Sequence, residues 1–176
     1  MVVVDRLTKY TEFIPLPRKY GAPYLAKVFI KYIITRHGIP ERIISDRDRK
    51  FTSYFWEELC QALGIQRAML TAYHLVTDGQ TERMNQTLEQ YLRIYVDDEQ
   101  SNWSTLLPQA AFAYNATKQE TIGITPFFAN FSREPRLATD FKGYLPTEAT
   151  VVAEDMHHLY QQLQSNMRFL NKRMAH

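Results

Sequence analysis

The chain has 176 residues, 45% of them hydrophobic and 23% charged, with a formal net charge of +2. That composition fits about one soluble globular domain and argues against disorder, and so small a net charge confines any nucleic-acid surface to a local patch. A single cysteine, Cys60, excludes an internal disulfide and a cysteine-based zinc site, no apolar run is long enough to span a bilayer, and no signal peptide is recognisable, so a reducing intracellular compartment is expected.

Val2, Val3 and Val4 are β-branched and read as a strand. Lys9 to Pro15 alternates, with Tyr10, Phe13 and Ile14 apolar or aromatic, and reads as a second strand. Asp5-Arg6-Leu7-Thr8 turns between them, so residues 2–16 are expected to form a hairpin. Residues 22–37 follow the helical rule through Leu25, Val28, Phe29, Tyr32 and Ile33, with Gly38 suited to the C-terminal cap and Pro40 beyond it. Arg42 to Ser45 is a short strand ending at Asp46. Ser53 to Leu63 is helical, with Phe55, Trp56, Leu59 and Leu63 on one side, Cys60 as a small buried hydrophobe and Gly64 as the stop. Ile65 to Leu70 is the next strand. Strand, three-turn helix and strand make a βαβ unit, which predicts parallel pairing.

Thr71 to Thr77 reads as a loop. Thr77-Asp78-Gly79-Gln80 has the form of a capping box, so a helix is expected from about Asp78 to Val96, burying Met84, Leu88, Tyr91 and Tyr95. Another helix covers about Trp103 to Thr117 through Leu106, Leu107, Ala110, Ala111 and Tyr114. Glycines and prolines punctuate residues 118–150, with a short helix predicted at Pro126 to Asn130. The last helix, about Val151 to Met174, carries Val152, Met156, Leu159, Leu163, Met167, Leu170 and Met174 at near-heptad steps. If that stripe is solvent-exposed, self-association through it is expected.

Two carboxylates carry the candidate chemistry. Asp46 ends a parallel strand, where α/β folds place ligands. Glu82 lies early in its helix, on a polar face shared with Asn85, Gln86, Glu89 and Arg93, away from the buried stripe. Read singly, an Asp after a strand is a turn residue or a cap, and a Glu early in a helix favours the dipole. Converging at one edge, the pair would offer the oxygen ligands that magnesium requires. Two such ions activate the attacking oxygen and stabilise the leaving oxygen in phosphoryl transfer.

The segments VVVDRLTKYTEFIPL, SDRDRKFTSYFW, TAYHLVTDGQTERMNQTLEQYLR and ITPFFANFSREPRL together resemble the integrase of gypsy-type long-terminal-repeat retrotransposons. The resemblance covers Val2 to about Leu137, and the last helix is similar to the helical extension after the core in that family. It implies an α/β ribonuclease-H-like fold and a D-D-E triad, with Asp46 matching the second Asp and Glu82 the Glu, 35 residues lying between them. It implies domains at 1–138 (catalytic core), 139–150 (linker) and 151–176 (helical extension). The implied activity is metal-dependent 3′-end processing and strand transfer, with Mg2+ or Mn2+ as cofactor. The implied partners are element ends and target DNA, with self-association expected through the core or the 152–174 helix; no membrane is involved, and the integration step takes place in the nucleus.

The departures carry expectations of their own. In the family the first Asp of the triad lies on a central strand just upstream of the segment matched by Val2 to Asp5. Asp5 is not its equivalent and reads as a turn residue. The chain by itself is therefore expected to lack that strand, to bind metal weakly and to be inactive, with the hairpin either split from Arg42–Ser45 or paired with it directly. A catalytically inactive, nucleic-acid-binding remnant or host-recruited module remains the alternative. Asp48 stands where many relatives have Gly, and Leu75-Val76 where relatives often have Pro-Gln. Arg47, Arg49 and Lys50 beside Asp46, and Arg83 beside Glu82, suit a phosphate backbone, although a solvated charged surface explains them as well. Tyr73 and His74 could stack on or hydrogen-bond to a DNA end. The resemblance places Asp78 and Asn85 at positions that contact element DNA. His157 and His158, adjacent on the last helix, read as surface residues.

Overall fold

The β-branched start of the chain pairs as its alternation predicts. Val2–Val4 (β1) runs antiparallel to Thr11–Phe13 (β2), with Val2 opposite Phe13 and Val4 opposite Thr11. The computed structural model describes residues 1–69, 88–89 and 102–136, together with 151, 161 and 165. The 71–77 loop and the linker at 139–150 lie outside the described residues. So do the 78–96 and 151–174 helices, except that 88–89, 151, 161 and 165 are helical. The chain divides into two compact units, Met1–Phe13 with Arg83–His176, and Ile14–Glu82.

In the first unit, Asp5 closes the hairpin. Its Oδ1 accepts from the backbone N–H and the hydroxyl of Thr8, both at 2.7 Å. Lys9 takes the left-handed conformation, with φ of 62°, that lets its N–H reach Asp5 O. The turn expectation for Asp5 therefore holds.

The helix Trp103–Asn115 (α4) lies on the hairpin. Phe13, Leu107, Ala110, Ala111, Ala113 and Tyr114 form one buried cluster, with Val2, Val4, Leu88 and Leu106 packed against it. Ala110 and Ala113, both fully buried, let the helix backbone come close. Asn115 then ties helix to strand. Its Oδ1 accepts from Thr11 N–H at 2.9 Å and its Nδ2 donates to Thr11 O at 2.8 Å. Truncation would strand two buried backbone groups, each costing about 1–3 kcal/mol when left unpaired. Water entering the space limits the loss, so Asn115→Ala is expected to destabilise by about 2 kcal/mol. Urea unfolding measures it, and an unchanged midpoint would contradict the tie.

Pro126–Phe131 (α5) starts where the sequence places it. Thr125 caps it by accepting from Phe128 N–H, and Ser132 ends it in the left-handed region.

The second unit is the predicted βαβ. Arg42–Ser45 (β3) pairs in parallel with Gln66–Met69 (β4), Arg42 opposite Gln66 and Ser45 opposite Met69. Tyr54–Ala62 (α3) connects them, and Gly64, with φ of 69°, ends the helix. The buried side of α3 differs from expectation: Trp56 and Cys60 are buried, Leu59 and Leu63 are half-buried, and Phe55 is exposed. Positions 56 and 60 are one helical turn apart, whereas Phe55 sits about 100° round from Trp56. Burial pushes the Cys60 thiol pKa up, in keeping with its expected role as a small hydrophobe.

The 22–37 helix is not uniform. Ala22–Phe29 (α1) passes into a π-helical stretch, Ile30–Ile34, before Thr35–His37 (α2), and Gly38 ends it at φ of 84°. Leu25, Val28, Phe29 and Ile33 are buried as expected. Tyr32 is only half-buried, beneath Lys31 and Arg36, because the i→i+5 turn resets the helical phase there. Among the described residues the strands make two separate two-stranded sheets, β1 with β2 and β3 with β4. No described helix is long and apolar enough to cross a membrane.

Candidate functional site

Strand β3 delivers Asp46 to the carboxyl end of a parallel pair, where it is exposed. Its Oδ1 accepts from Asp48 N–H at 3.1 Å, so the strand turns at once into a loop. Asp48 organises that loop. Its carbonyl accepts from Phe51 N–H and Thr52 N–H, and its Oδ1 accepts from Lys50 N–H at 2.8 Å. The Lys50 ammonium lies 3.1 Å from both Asp48 carboxylate oxygens and 4.7 Å from the centre of the Tyr20 ring. Hydrogen bonds from the Lys50 backbone and ammonium hold the Asp48 pKa below its ordinary value, and the Asp48 carboxylate raises that of Lys50.

The loop is joined to α3 at the other end. Ser53 Oγ donates to Lys50 O at 2.8 Å and accepts from Trp56 N–H, capping the helix. Arg67 on β4 adds a second tie, donating to Phe51 O at 3.2 Å while pairing with Glu57 at 3.3 Å. Arg47 and Arg49 are exposed.

Of the residues singled out from sequence, the structure thus gathers Asp46, Arg47, Arg49 and Lys50 on one loop. Tyr73, His74, Asp78, Glu82, Arg83 and Asn85 lie outside the described residues. Among the described residues no group of three His, Cys, Asp or Glu side chains could hold a metal. As an exposed carboxylate at a strand end, Asp46 offers an oxygen donor of the kind a hard divalent cation takes. Sequence reasoning missed Tyr20 and Arg67. The charge at Arg67, half-buried within a strand, was a usable signal; nothing local pointed to Tyr20.

The chain matches no protein-family model. It is 32% identical over 126 residues to the Tf2-3 transposon polyprotein of Schizosaccharomyces pombe, a match covering 72% of this chain and 10% of the polyprotein. The Tf2-4 polyprotein of the same yeast matches equally. The matched segment is thus a tenth of the length of these relatives. Among solved structures, the chain resembles the HTLV-2 integrase catalytic core domain in complex with magnesium, with a TM-score of 0.60 and 20% identity over 73% of this chain and 82% of that one. The BIV integrase catalytic core domain gives a TM-score of 0.61 and 24% identity over 74% of this chain and 84% of that one. The simian T-cell lymphotropic virus intasome in complex with a PP2A regulatory subunit gives 0.58 and 16%, over 84% and 53%.

Proposed function

Because the chain is homologous to part of the Tf2 (Ty3/gypsy-type) retrotransposon polyproteins and has the ribonuclease-H-like fold of retroviral integrase catalytic cores, we propose that it serves DNA integration as the catalytic segment of a retrotransposon integrase. The observation that carries this reading is Asp46, an exposed carboxylate at the carboxyl end of a parallel strand. A second observation supports the companion carboxylate. Leu88 packs on the Phe13–Leu107 cluster while Glu89 is exposed. On the helical reading of the sequence, Glu82, two turns earlier, would share the face of Glu89.

In this reading Asp46 and Glu82 would hold divalent magnesium or manganese. When bound, the metal activates the attacking oxygen and stabilises the leaving oxygen of an in-line displacement at phosphorus. The nucleophile is water for trimming the element 3′ end, and then the new 3′ hydroxyl for attack on target DNA. Each step forms one P–O bond and breaks another. Arg47 and Arg49 would position phosphates without reading sequence, and Tyr73, His74, Asp78, Arg83 and Asn85 would hold the DNA end.

Magnesium is present in the HTLV-2 core, whose structures are described as trimeric and dimeric forms. DNA ends, target DNA and a second copy of the chain are accordingly the proposed partners, and the nucleus the proposed compartment. The test is joining of a model element end to target DNA by an integrase assembled with this chain. Joining should require divalent metal, Asp46 and Glu82. Joining that persists in chelator would overturn the proposal.

A further inference from the structure

Lys50 reads from sequence as a phosphate contact, yet its side chain already has partners. Its ammonium sits on both carboxylate oxygens of Asp48, at 3.1 Å, and over the ring of Tyr20. Asp48 donates its own N–H to Asp46 Oδ1. The Lys50 carbonyl accepts from Ser53 Oγ, and Ser53 caps the helix that buries Trp56. A continuous run of contacts therefore links Asp46, through Asp48 and Lys50, to the buried end of α3.

We propose that Asp48, Lys50 and Tyr20 form a clasp that positions Asp46 for metal binding, with Lys50 acting on Asp48 rather than on a DNA phosphate. The inference rests on the reading of Asp46 as a metal-holding carboxylate. The clasp has two effects. It fixes the turn whose N–H orients the Asp46 carboxylate, the kind of outer contact that tunes a metal ligand. It also withholds a second carboxylate, two residues from Asp46, from the metal, because Lys50 occupies both Asp48 oxygens. The loop thus offers one oxygen-donor side chain instead of two competing ones.

Charge and position can be separated. Removing Lys50 alone takes a cation from beside the metal, and removing Asp48 alone takes an anion, so each single variant mixes electrostatics with geometry. The double variant Asp48→Ala/Lys50→Met leaves the net charge unchanged and breaks the clasp together with the bond from Lys50 N–H to Asp48 Oδ1. The experiment is a Mn2+ titration of the 176-residue chain, following free Mn2+ by electron paramagnetic resonance, with circular dichroism confirming the fold. The double variant is expected to bind Mn2+ about tenfold more weakly. Lys50→Arg, which keeps a cation on Asp48 and over Tyr20, is expected to stay within about twofold of the parent. Parent-like affinity in the double variant, or Lys50→Arg as damaging as the double, overturns the clasp.

A DNA arm separates the two roles of Lys50. Losing a phosphate contact lowers the slope of log affinity against log salt by about 0.9. The slope for a model duplex should not change in Lys50→Met, and a fall of about 0.9 overturns the assignment. Asp46→Asn serves as the control. If it titrates like the parent, the metal reading itself fails; if it loses Mn2+ while the double variant does not, only the clasp fails.

Discussion

Asp46→Asn is expected to lower metal-dependent joining of a model DNA end to target DNA about a thousandfold, and Glu82→Gln by a similar factor. The metal stabilises charge in the transition state by several kcal/mol. At 1.36 kcal/mol per decade, a loss of about 4 kcal/mol is a thousandfold in rate. Asparagine keeps the volume of Asp46 and an oxygen that can still accept from Asp48 N–H, so the turn after β3 and the cap of α3 survive the change. What would be lost is the proposed anionic metal ligand. Binding to duplex DNA should persist, because Arg47 and Arg49 are untouched and one negative charge has gone. Single-turnover strand transfer at saturating DNA measures the effect. A rate within about tenfold of the parent would show that Asp46 is a turn residue and nothing more.

Trp56→Ala should cost about 3–5 kcal/mol, the usual range for emptying a buried aromatic site. Trp56 is 1% exposed and meets Phe29 and Phe51 edge-on, with ring centres at 5.5 and 5.4 Å. It is the point where α1, α3 and the loop after Asp46 pack together. Domains of this size are stable by only about 5–15 kcal/mol, so the loss removes a large part of the margin. The same substitution should loosen the candidate site, because Phe51 loses its ring partner while its carbonyl accepts from Arg67. Chemical denaturation followed by circular dichroism measures the cost. A loss under about 1 kcal/mol would show that the site collapses around the smaller side chain.

Local patterns carried much of the second unit. Ile43 and Ile44 mark β3, Ser53 marks the cap of α3, and Gly64 marks its end. The strand–helix–strand order demanded the parallel pairing that Arg42–Ser45 and Gln66–Met69 adopt. The hairpin followed from three valines and an alternating stretch, although its second strand is shorter than the alternation suggested. Periodicity could not distinguish the π stretch at Ile30–Ile34 from ordinary helix, since the same apolar spacing serves both until the phase slips at Tyr32. It also placed Phe55 on the buried side of α3, where one residue's rotation exposes it.

The contacts that organise the candidate site were the least legible. Tyr20 reaches Lys50, and Asn115 reaches Thr11 across 104 positions, through tertiary packing that leaves no mark on neighbouring residues. Asp46 itself was legible, but in isolation it was one more Asp after a strand. Its meaning came from the words around it and the companion at Glu82. The basic residues beside it were legible as charges. Only the structure separates Arg47 and Arg49, both exposed, from Lys50, whose ammonium rests on Asp48 and Tyr20.

Asp46 and Glu82 are proposed to share a metal site. A crystal structure of the integrase catalytic segment soaked in Mn2+, with the ion located by its anomalous signal, tests it most directly. Manganese is expected within about 2.5 Å of a carboxylate oxygen from each residue. Asp46 should still accept from Asp48 N–H. Carboxylates pointing to opposite sides of the domain, too far apart for ions spaced about 3.5–4 Å to bridge them, would contradict it.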